Sequence, residues 1–458
     1  MTDNGENNEA QPGAEPAPVT PAPANGETAP PAEPAPAKGK KIGRVRVILP
    51  EKRPHDIVIW GATSFVGSIL CRHLVHELKD SGLNWAMAAR SEIRILDHLK
   101  HELGRESWGI PHYVAYLNQP NTLLHLCNKA RLIISTVGPY ALYGEPLVRA
   151  CAMTGTDYCD LAGEPQWIRR MIDRYQLQAS ESGARIVHSC GFDSIPSDLG
   201  VWAMQKAARE RHGQPCNRIR MRVKTLKGGA SGGTIASMAN LYKEAAKDKE
   251  LRSKLADPYY LCPISNANTT RQHNVQVEYE EDFKSWAAPF IMAAINTKVV
   301  LRSHALTYPL PDQQFQYDEA MLTGDGEEGE KRAKKTARNM KWMSIALASA
   351  PIRWLALKFF LPKPGEGPSP EEQKQGSFDL RFIGTTRDGH TLKATVTGDR
   401  DPGYGSTAKM LIQAGLCLNK DISREELPGG FWTPAVAFDG RLVERLDKYA
   451  GVKIEVED

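Results

Sequence analysis

The sequence has no C-x-x-C pair and no cysteine or histidine grouping at metal-ligand spacing, so a zinc-ribbon or iron–sulfur protein is excluded and no metal site is expected. Its eight cysteines (71, 127, 151, 159, 190, 216, 262 and 417) are scattered, as reduced thiols of a cytoplasmic protein are. No apolar h-region opens the chain, so a secretory leader is not expected. The formal net charge is only +4 over 458 residues, which leaves no whole-protein case for binding nucleic acid. Residues 1–40 hold no Leu, Ile, Phe, Tyr or Trp. Such a Pro/Ala-rich stretch buries too little apolar surface to offset its ordering entropy, and it is read as disordered. With the basic run from Lys38 to Arg53 it forms a tail and linker, 1–53.

Order is expected from Asp56. Ile57-Val-Ile-Trp60 is a short apolar run closed by Gly61, as a buried parallel strand is. A helix follows, with Val66, Leu70, Leu74 and Leu78 on one face. Strands at Trp85–Ala89, Leu132–Val137 and Arg185–Ser189 alternate with helical stretches at 145–153 and 167–175. This alternation predicts a doubly wound, Rossmann-type parallel sheet over 54–200. From about 215 the period changes to two. Ile219–Lys224, Asn274–Glu278, Phe378–Phe382 and Leu392–Val396 alternate apolar and polar residues, which predicts a largely antiparallel sheet in a second, inserted α+β domain over 201–397. The last segment, 398–458, is expected to return to the first domain.

The residues that carry chemistry begin with Gly61, Ala62, Thr63, Ser64, Phe65, Val66 and Gly67, which join the first strand to the first helix. Gly61 permits a tight turn, Gly67 lets helix and strand approach, and the helix N-terminus offers free N–H groups to a pyrophosphate. At the end of the second strand stand Arg90 and Ser91, where an enzyme specific for NAD carries an acidic residue for the ribose 2′-hydroxyl. A guanidinium there suits a 2′-phosphate, so NADP(H) is the expected cofactor. Val137, Gly138, Pro139 and Tyr140 end a later strand, where open α/β sheets hold their ligands.

Several longer segments, taken with this loop, resemble the saccharopine dehydrogenase-like oxidoreductases. They are Tyr158–Glu164 (Tyr-Cys-Asp-Leu-Ala-Gly-Glu), Cys190–Gly200 (Cys-Gly-Phe-Asp-Ser-Ile-Pro-Ser-Asp-Leu-Gly), Ser231–Ser237, Gly398–Tyr404 and Thr433–Ala435. Within that family the similarity is to the trans-acting enoyl reductases of lipid and polyketide assembly, and it covers about 54–458. It departs at Ser64, where the family carries glycine and where a side chain is expected to crowd the pyrophosphate. The resemblance implies NADP(H), a Rossmann domain split by an inserted domain, and reduction of a small or carrier-bound acyl substrate.

Reduction of an enoyl thioester needs an acid at the α-carbon and a donor at the carbonyl oxygen. Tyr140, Cys190 and Asp193 are the candidates for that work. Capping by Asp193 and Asp198, and plain burial of Cys190, stand beside it as structural alternatives. The glycine-rich turn with Ser231, Gly232, Gly233 and Thr234 precedes a helical stretch and is a candidate to hold a substrate oxygen. The apolar segment 343–361 follows a basic cluster from Lys331 to Lys341. Interrupted by Pro351, Arg353 and Lys358, it is a poor transmembrane span. A peripheral contact of 331–361 with the inner face of the plasma membrane, a buried helix and a homodimer contact all remain open. Two other functions compete with enoyl reduction: C–N oxidoreduction of an amino acid, as in saccharopine dehydrogenases, and non-catalytic dinucleotide binding.

Overall fold

The computed structural model describes residues 1, 47–79, 81–228, 232–263, 270–308, 314–359 and 367–457, with backbone alone over 355–359. The chain divides into two units, Met1–Gly43 and Arg44–Asp458. The second unit contains both sheets of the protein. The tail 1–40 falls, beyond Met1, outside the described residues.

The first sheet holds β1 (His55–Trp60), β2 (Trp85–Ala89), β3 (His112–Val114), β4 (Ala130–Ser135), β5 (Asp157–Asp160) and β6 (Arg185–Val187), joined near the end of the chain by β13 (Gly430–Trp432). Its order is β13-β6-β5-β4-β1-β2-β3. Every pairing in it is parallel. The strand order therefore reverses between β1 and β4. Their C-terminal ends open the crevice in which such sheets bind ligands. Ile57, Val58 and Ile59 are fully buried, as both faces of a helix-covered parallel sheet require.

The second sheet contains β7 (Cys216–Lys227), β8 (Glu278–Glu280), β9 (Ser285–Pro289), β10 (Gln316–Gly324), β11 (Ser377–Thr386), β12 (Thr391–Gly398) and β14 (Val452–Val456), in the order β14-β12-β11-β7-β10-β9-β8. All pairings are antiparallel except that of β7 with β10. The alternation read in the sequence holds here except at Arg222, which is fully buried and paired with Glu280 and Asp318. Ile219, Met221 and Val223 are buried, while Lys224 is exposed. One alternating run misleads: Asn274–Val277 forms no strand, and only Glu278 enters β8. The rest of that run lies in the connection leading to β8 and gains no ladder partner. The segment 398–458 divides between the sheets, because the helix Pro434–Ala450 carries the chain from β13 to β14.

The two sheets share one apolar core, which runs from Ile57 and Leu132 to Phe382 and Val452. The helix Ile195–His212 binds them together. Its Gly200 lies so close to the Phe382 ring that a Cβ would stand 2.6 Å from it. All eight cysteines are buried and free.

One residue assigned to the solvated linker belongs to the core. Arg53 is buried beneath the first sheet. Its guanidinium donates to Ala130 O at 2.9 Å, Thr156 Oγ1 at 2.7 Å and Thr154 O at 2.5 Å. Those acceptors sit at strand and helix ends with no ladder partner, and a planar five-donor fork satisfies them together. Arg53→Ala should therefore destabilise the protein by about 2–4 kcal/mol. Lys52→Ala, one residue earlier and exposed, should stay within about 0.5 kcal/mol of the parent. Urea titrations of both variants check the pair.

Candidate functional site

The β1–β4 crevice is built by backbone approach. Gly61 has φ +86°, and a Cβ there would lie 2.6 Å from Val137 Cγ2 and 2.8 Å from Thr136 Oγ1. A Cβ on Gly67 would collide with the Gly61 carbonyl oxygen. The helix Phe65–His76 thus starts directly against the end of β1, with its first N–H groups at the mouth of the crevice. Ala62 is buried, and its N–H and that of Gly61 donate to Ala88 O.

Ser64, expected to crowd a pyrophosphate, has its hydroxyl committed within the protein. Its Oγ accepts from Gly67 N at 3.0 Å, as the helix N-cap, and bonds Thr136 Oγ1 at 2.9 Å. It ties the loop to the end of β4. Thr63, Phe65 and Val66 are half-buried beside it. At the end of β2, Arg90 is exposed and has no ion-pair or hydrogen-bond partner among the described residues. Ser91 caps the helix Glu92–His101, accepting from Arg94 N at 3.4 Å.

A cavity of about 230 Å³ lies beyond the crevice. Val66, Thr136 and Gly138 connect it to the loop just described. Its other walls come from the turn Ser189–Asp193, the start of the helix Gly232–Lys247, the loop Phe290–Met292 and the segment Pro402–Thr407. Gly233 and Thr234 line it, together with Ser237, Met238 and Leu241 one and two turns along the same helix. Gly232 donates to Tyr404 Oη at 3.2 Å, and Ser231 lies outside the described residues. Val137 packs on Gly61, and Pro139 precedes the short helix Tyr140–Tyr143.

The three acid candidates separate clearly. The Tyr140 ring lines the cavity, but its hydroxyl donates to Ser135 O at 2.9 Å and accepts from Leu161 N at 3.1 Å. Burial raises its pKa well above the usual phenol value. Cys190 does not line the cavity. It is fully buried, its thiol is 3.4 Å from Val187 O, and burial pushes its pKa up. The hydroxyl of the one and the thiol of the other thus each meet a carbonyl at a strand end next to the site. Asp193 is different. It lines the cavity and has no hydrogen-bond or ion-pair partner among the described residues. Desolvation raises its pKa from 3.8 to about 6.

The other carboxylates nearby are all committed. Asp160 accepts from Ala162 N, Ser189 N and His188 Nδ1. Glu164 accepts from Tyr140 N at 2.6 Å, Ala141 N at 3.1 Å and Ser237 Oγ at 2.9 Å, and burial raises its pKa. Asp198 accepts from Ser303 Oγ and Ala435 N, so it caps the helix Pro434–Ala450 and not its own. Sequence reasoning missed the wall Phe290–Met292 and the roles of Ser189 and Thr407. Thr407 Oγ1 accepts from Phe192 N at 3.0 Å and donates to Pro402 O at 2.7 Å, which locks the turn beside Asp193. No motif announces these residues, since only the fold brings them to the cavity. Among the described residues no His, Cys, Asp and Glu grouping could hold a metal ion.

No protein-family model matches the chain. A Mycobacterium tuberculosis protein with the provisional name of trans-acting enoyl reductase is 38% identical over 413 residues, covering 88% of this chain and 97% of that one. The trans-acting enoyl reductase of Mycobacterium leprae is 34% identical over 430 residues, with coverages of 88% and 98%. The chain belongs to the trans-acting enoyl reductase family. The names of these relatives support an oxidoreductase. Among solved structures, yeast saccharopine dehydrogenase (L-Glu forming) aligns with a TM-score of 0.48 at 13% identity, over 88% of this chain and 100% of that one. The homospermidine synthase of Legionella pneumophila aligns with a TM-score of 0.49 at 10% identity, over 88% and 92%.

Within this family member Asp193 sets a pH-dependent strain. The folded state keeps its proton between pH 3.8 and about 6, where the unfolded chain releases it. Stability therefore falls as pH rises through that window, and the cost is complete above it. Asp193→Asn should stabilise the fold by about 1–3 kcal/mol at pH 8 and change little at pH 3.5. Chemical denaturation at the two pH values checks the difference. At the loop, Ser64→Ala should cost about 1 kcal/mol by removing the N-cap, and Ser64→Gly only a few tenths. Thermal denaturation of the two variants reads this order.

Proposed function

We propose that this oxidoreductase uses NADPH to reduce the C=C bond of an acyl thioester of lipid or polyketide type. The observation that carries this reading is the chemistry of the cavity beside the β1–β4 crevice. Phe192, Leu226, Met238, Leu241, Phe290 and Met292 form apolar walls, and Asp193 is the one carboxyl group among the described lining residues. No Arg, Lys or His stands among those residues. An amino acid substrate with several carboxylates would enter that space without a counter-charge, which disfavours C–N chemistry on such a molecule. An acyl chain is matched by the walls.

The residues of the crevice fit a dinucleotide. Gly61 and Gly67 leave room for the backbone approach, the first amides of the helix Phe65–His76 face a pyrophosphate, and the exposed Arg90 stands ready for a 2′-phosphate. Bound there, the cofactor would supply a hydride for the β-carbon of the substrate. The chain has to supply the proton for the α-carbon. Protonated Asp193 is placed to do so, since its raised pKa keeps part of it in the acid form near neutrality. The apolar walls exclude water, and this preserves both the raised pKa and the developing enolate.

NADPH should bind at least tenfold more tightly than NADH, about 1.4 kcal/mol, and Arg90→Ala should erase most of that preference. Equal affinities for the wild type, read by fluorescence titration, would remove the basis for NADP. Turnover should appear as NADPH oxidation with enoyl thioesters and not as NADP⁺ reduction with saccharopine. The reverse preference would make the chain a C–N oxidoreductase. Asp193→Asn should lower kcat by about 100-fold or more. Because the acid form is lost as pH rises, wild-type kcat should decline above about pH 6, and that limb should be missing from the variant.

A further inference from the structure

The segment 343–361 does not form one helix. The long helix Gly326–Ala348 stops at Ser349, and a second helix, Ala350–Phe359, restarts with Pro351 in its first turn. No described helix is long and apolar enough to cross a membrane. The long helix is nevertheless sharply two-sided. Gly329, Ala333 and Leu347 are buried. That face rests on β9 and on the helix Gly232–Lys247, where Tyr242 Oη meets Ser344 Oγ at 2.9 Å.

The opposite face is exposed and ordered by charge. Lys331, Lys335, Arg338, Trp342 and Ile345 follow one another at steps of four and three residues, which puts all five on one stripe. The first three are cations and the last two are apolar. Lys334 and Lys341 flank the stripe and are also exposed. Lys331 and Lys334 pair with Glu328 and Glu330, whereas Lys335, Arg338 and Lys341 have no carboxylate partner among the described residues. Trp342 is 65% exposed and Ile345 45%. Across the break, Ile352 is 47% and Trp354 59% exposed. Four large apolar side chains exposed on two consecutive helices are uncommon on a surface that meets only water.

We infer that this face docks on an anionic lipid bilayer. The cations along the stripe match the negative surface of such a membrane, and Trp342 and Ile345, one turn beyond them, reach the depth of the headgroup boundary. A tryptophan with an apolar body and a polar N–H is the residue type that such boundaries favour. The placement also serves the cavity. The helix Gly232–Lys247 presents Ser237, Met238 and Leu241 to the cavity and Tyr242 to the long helix. The long helix itself and the helix Gly232–Lys247 lie between the docking face and the apolar walls. Docking depends on the surface alone, so it is tested without an assay of activity.

The test is flotation of the full chain with vesicles of phosphatidylcholine alone and of phosphatidylcholine with phosphatidylglycerol. The chain should float with the anionic vesicles at low salt, bind at least tenfold more weakly to the neutral ones, and keep partial binding at high salt. Lys335→Glu with Arg338→Glu and Lys341→Glu should remove the salt-sensitive part. Trp342→Ser with Ile345→Ser should lower affinity at least tenfold at any salt. Circular dichroism checks that both variants are folded, and exposed positions such as these should leave it unchanged. No flotation with anionic vesicles overturns the inference. So does binding that both folded variants retain in full. If ultracentrifugation shows a dimer that Trp342→Ser with Ile345→Ser splits into monomers, and no vesicle binding occurs, the face is an interface between copies of this chain.

Discussion

The structure depends on the absence of two side chains. Gly61 and Gly67 let the end of β1, the end of β4 and the start of the first helix meet at backbone distance, with Val137 and Thr136 closing in from the other side. A methyl group on Gly67 would meet the backbone carbonyl of Gly61, and one on Gly61 would meet the side chains of Val137 and Thr136 at a φ of +86° that disfavours any side chain. Everything in the crevice follows from that contact. It fixes the helix N-terminus at the mouth, sets Gly138 and the Tyr140 ring beside the cavity, and places Ser64 where its hydroxyl can hold both the helix and Thr136.

Around that junction the protein spends its buried carboxylates on orphan amides. Asp160, Glu164 and Asp198 each accept from backbone N–H groups that no ladder satisfies, and each sits at the start of a turn or helix. Of these, Asp160 holds the turn Ser189–Asp193, which Thr407 Oγ1 also holds through Phe192 N. Ser189 is held at φ +62° with its N–H on Asp160 and its hydroxyl on Ala162 O. Asp193 is left over. Its exclusion from this network, together with desolvation, distinguishes it from its neighbours and is the ground for proposing it as the acid. Tyr140 and Cys190 differ from it, because their polar atoms already meet strand-end carbonyls.

The second sheet contributes position as well as mass. Sharing one core with the first, it holds the loop Phe290–Met292 and the helix Gly232–Lys247 against the crevice. Its outlying helix Gly326–Ala348 carries the charged and apolar stripe at the surface. The break at Ser349 matters, because it divides an apolar stretch that is long in sequence between the end of the long helix and a ten-residue second helix. A proline in the first turn of the second helix is compatible with that restart, since its missing N–H would be unpaired there in any case.

Local pattern determined a good part of this protein. Apolar runs closed by glycine produced the parallel strands, and period-two alternation marked β7, β11 and β12, because a half-buried strand must alternate wherever it lies. The loop Gly61–Gly67 was legible for the same reason, because its residue types answer needs of its own backbone, whereas the segment Cys190–Gly200 was legible through its resemblance to a family. Tertiary structure decided the rest. Whether Asn274–Glu278 pairs depends on a neighbour strand, and whether Arg53 is linker or core depends on carbonyls that arrive from residues 130 and 154. Above all, Tyr140, Cys190 and Asp193 were equivalent as titratable groups near a strand end. Only the packing showed which of them faces the cavity with its polar atoms unsatisfied, since hydrogen-bond partners distant in sequence leave no local trace.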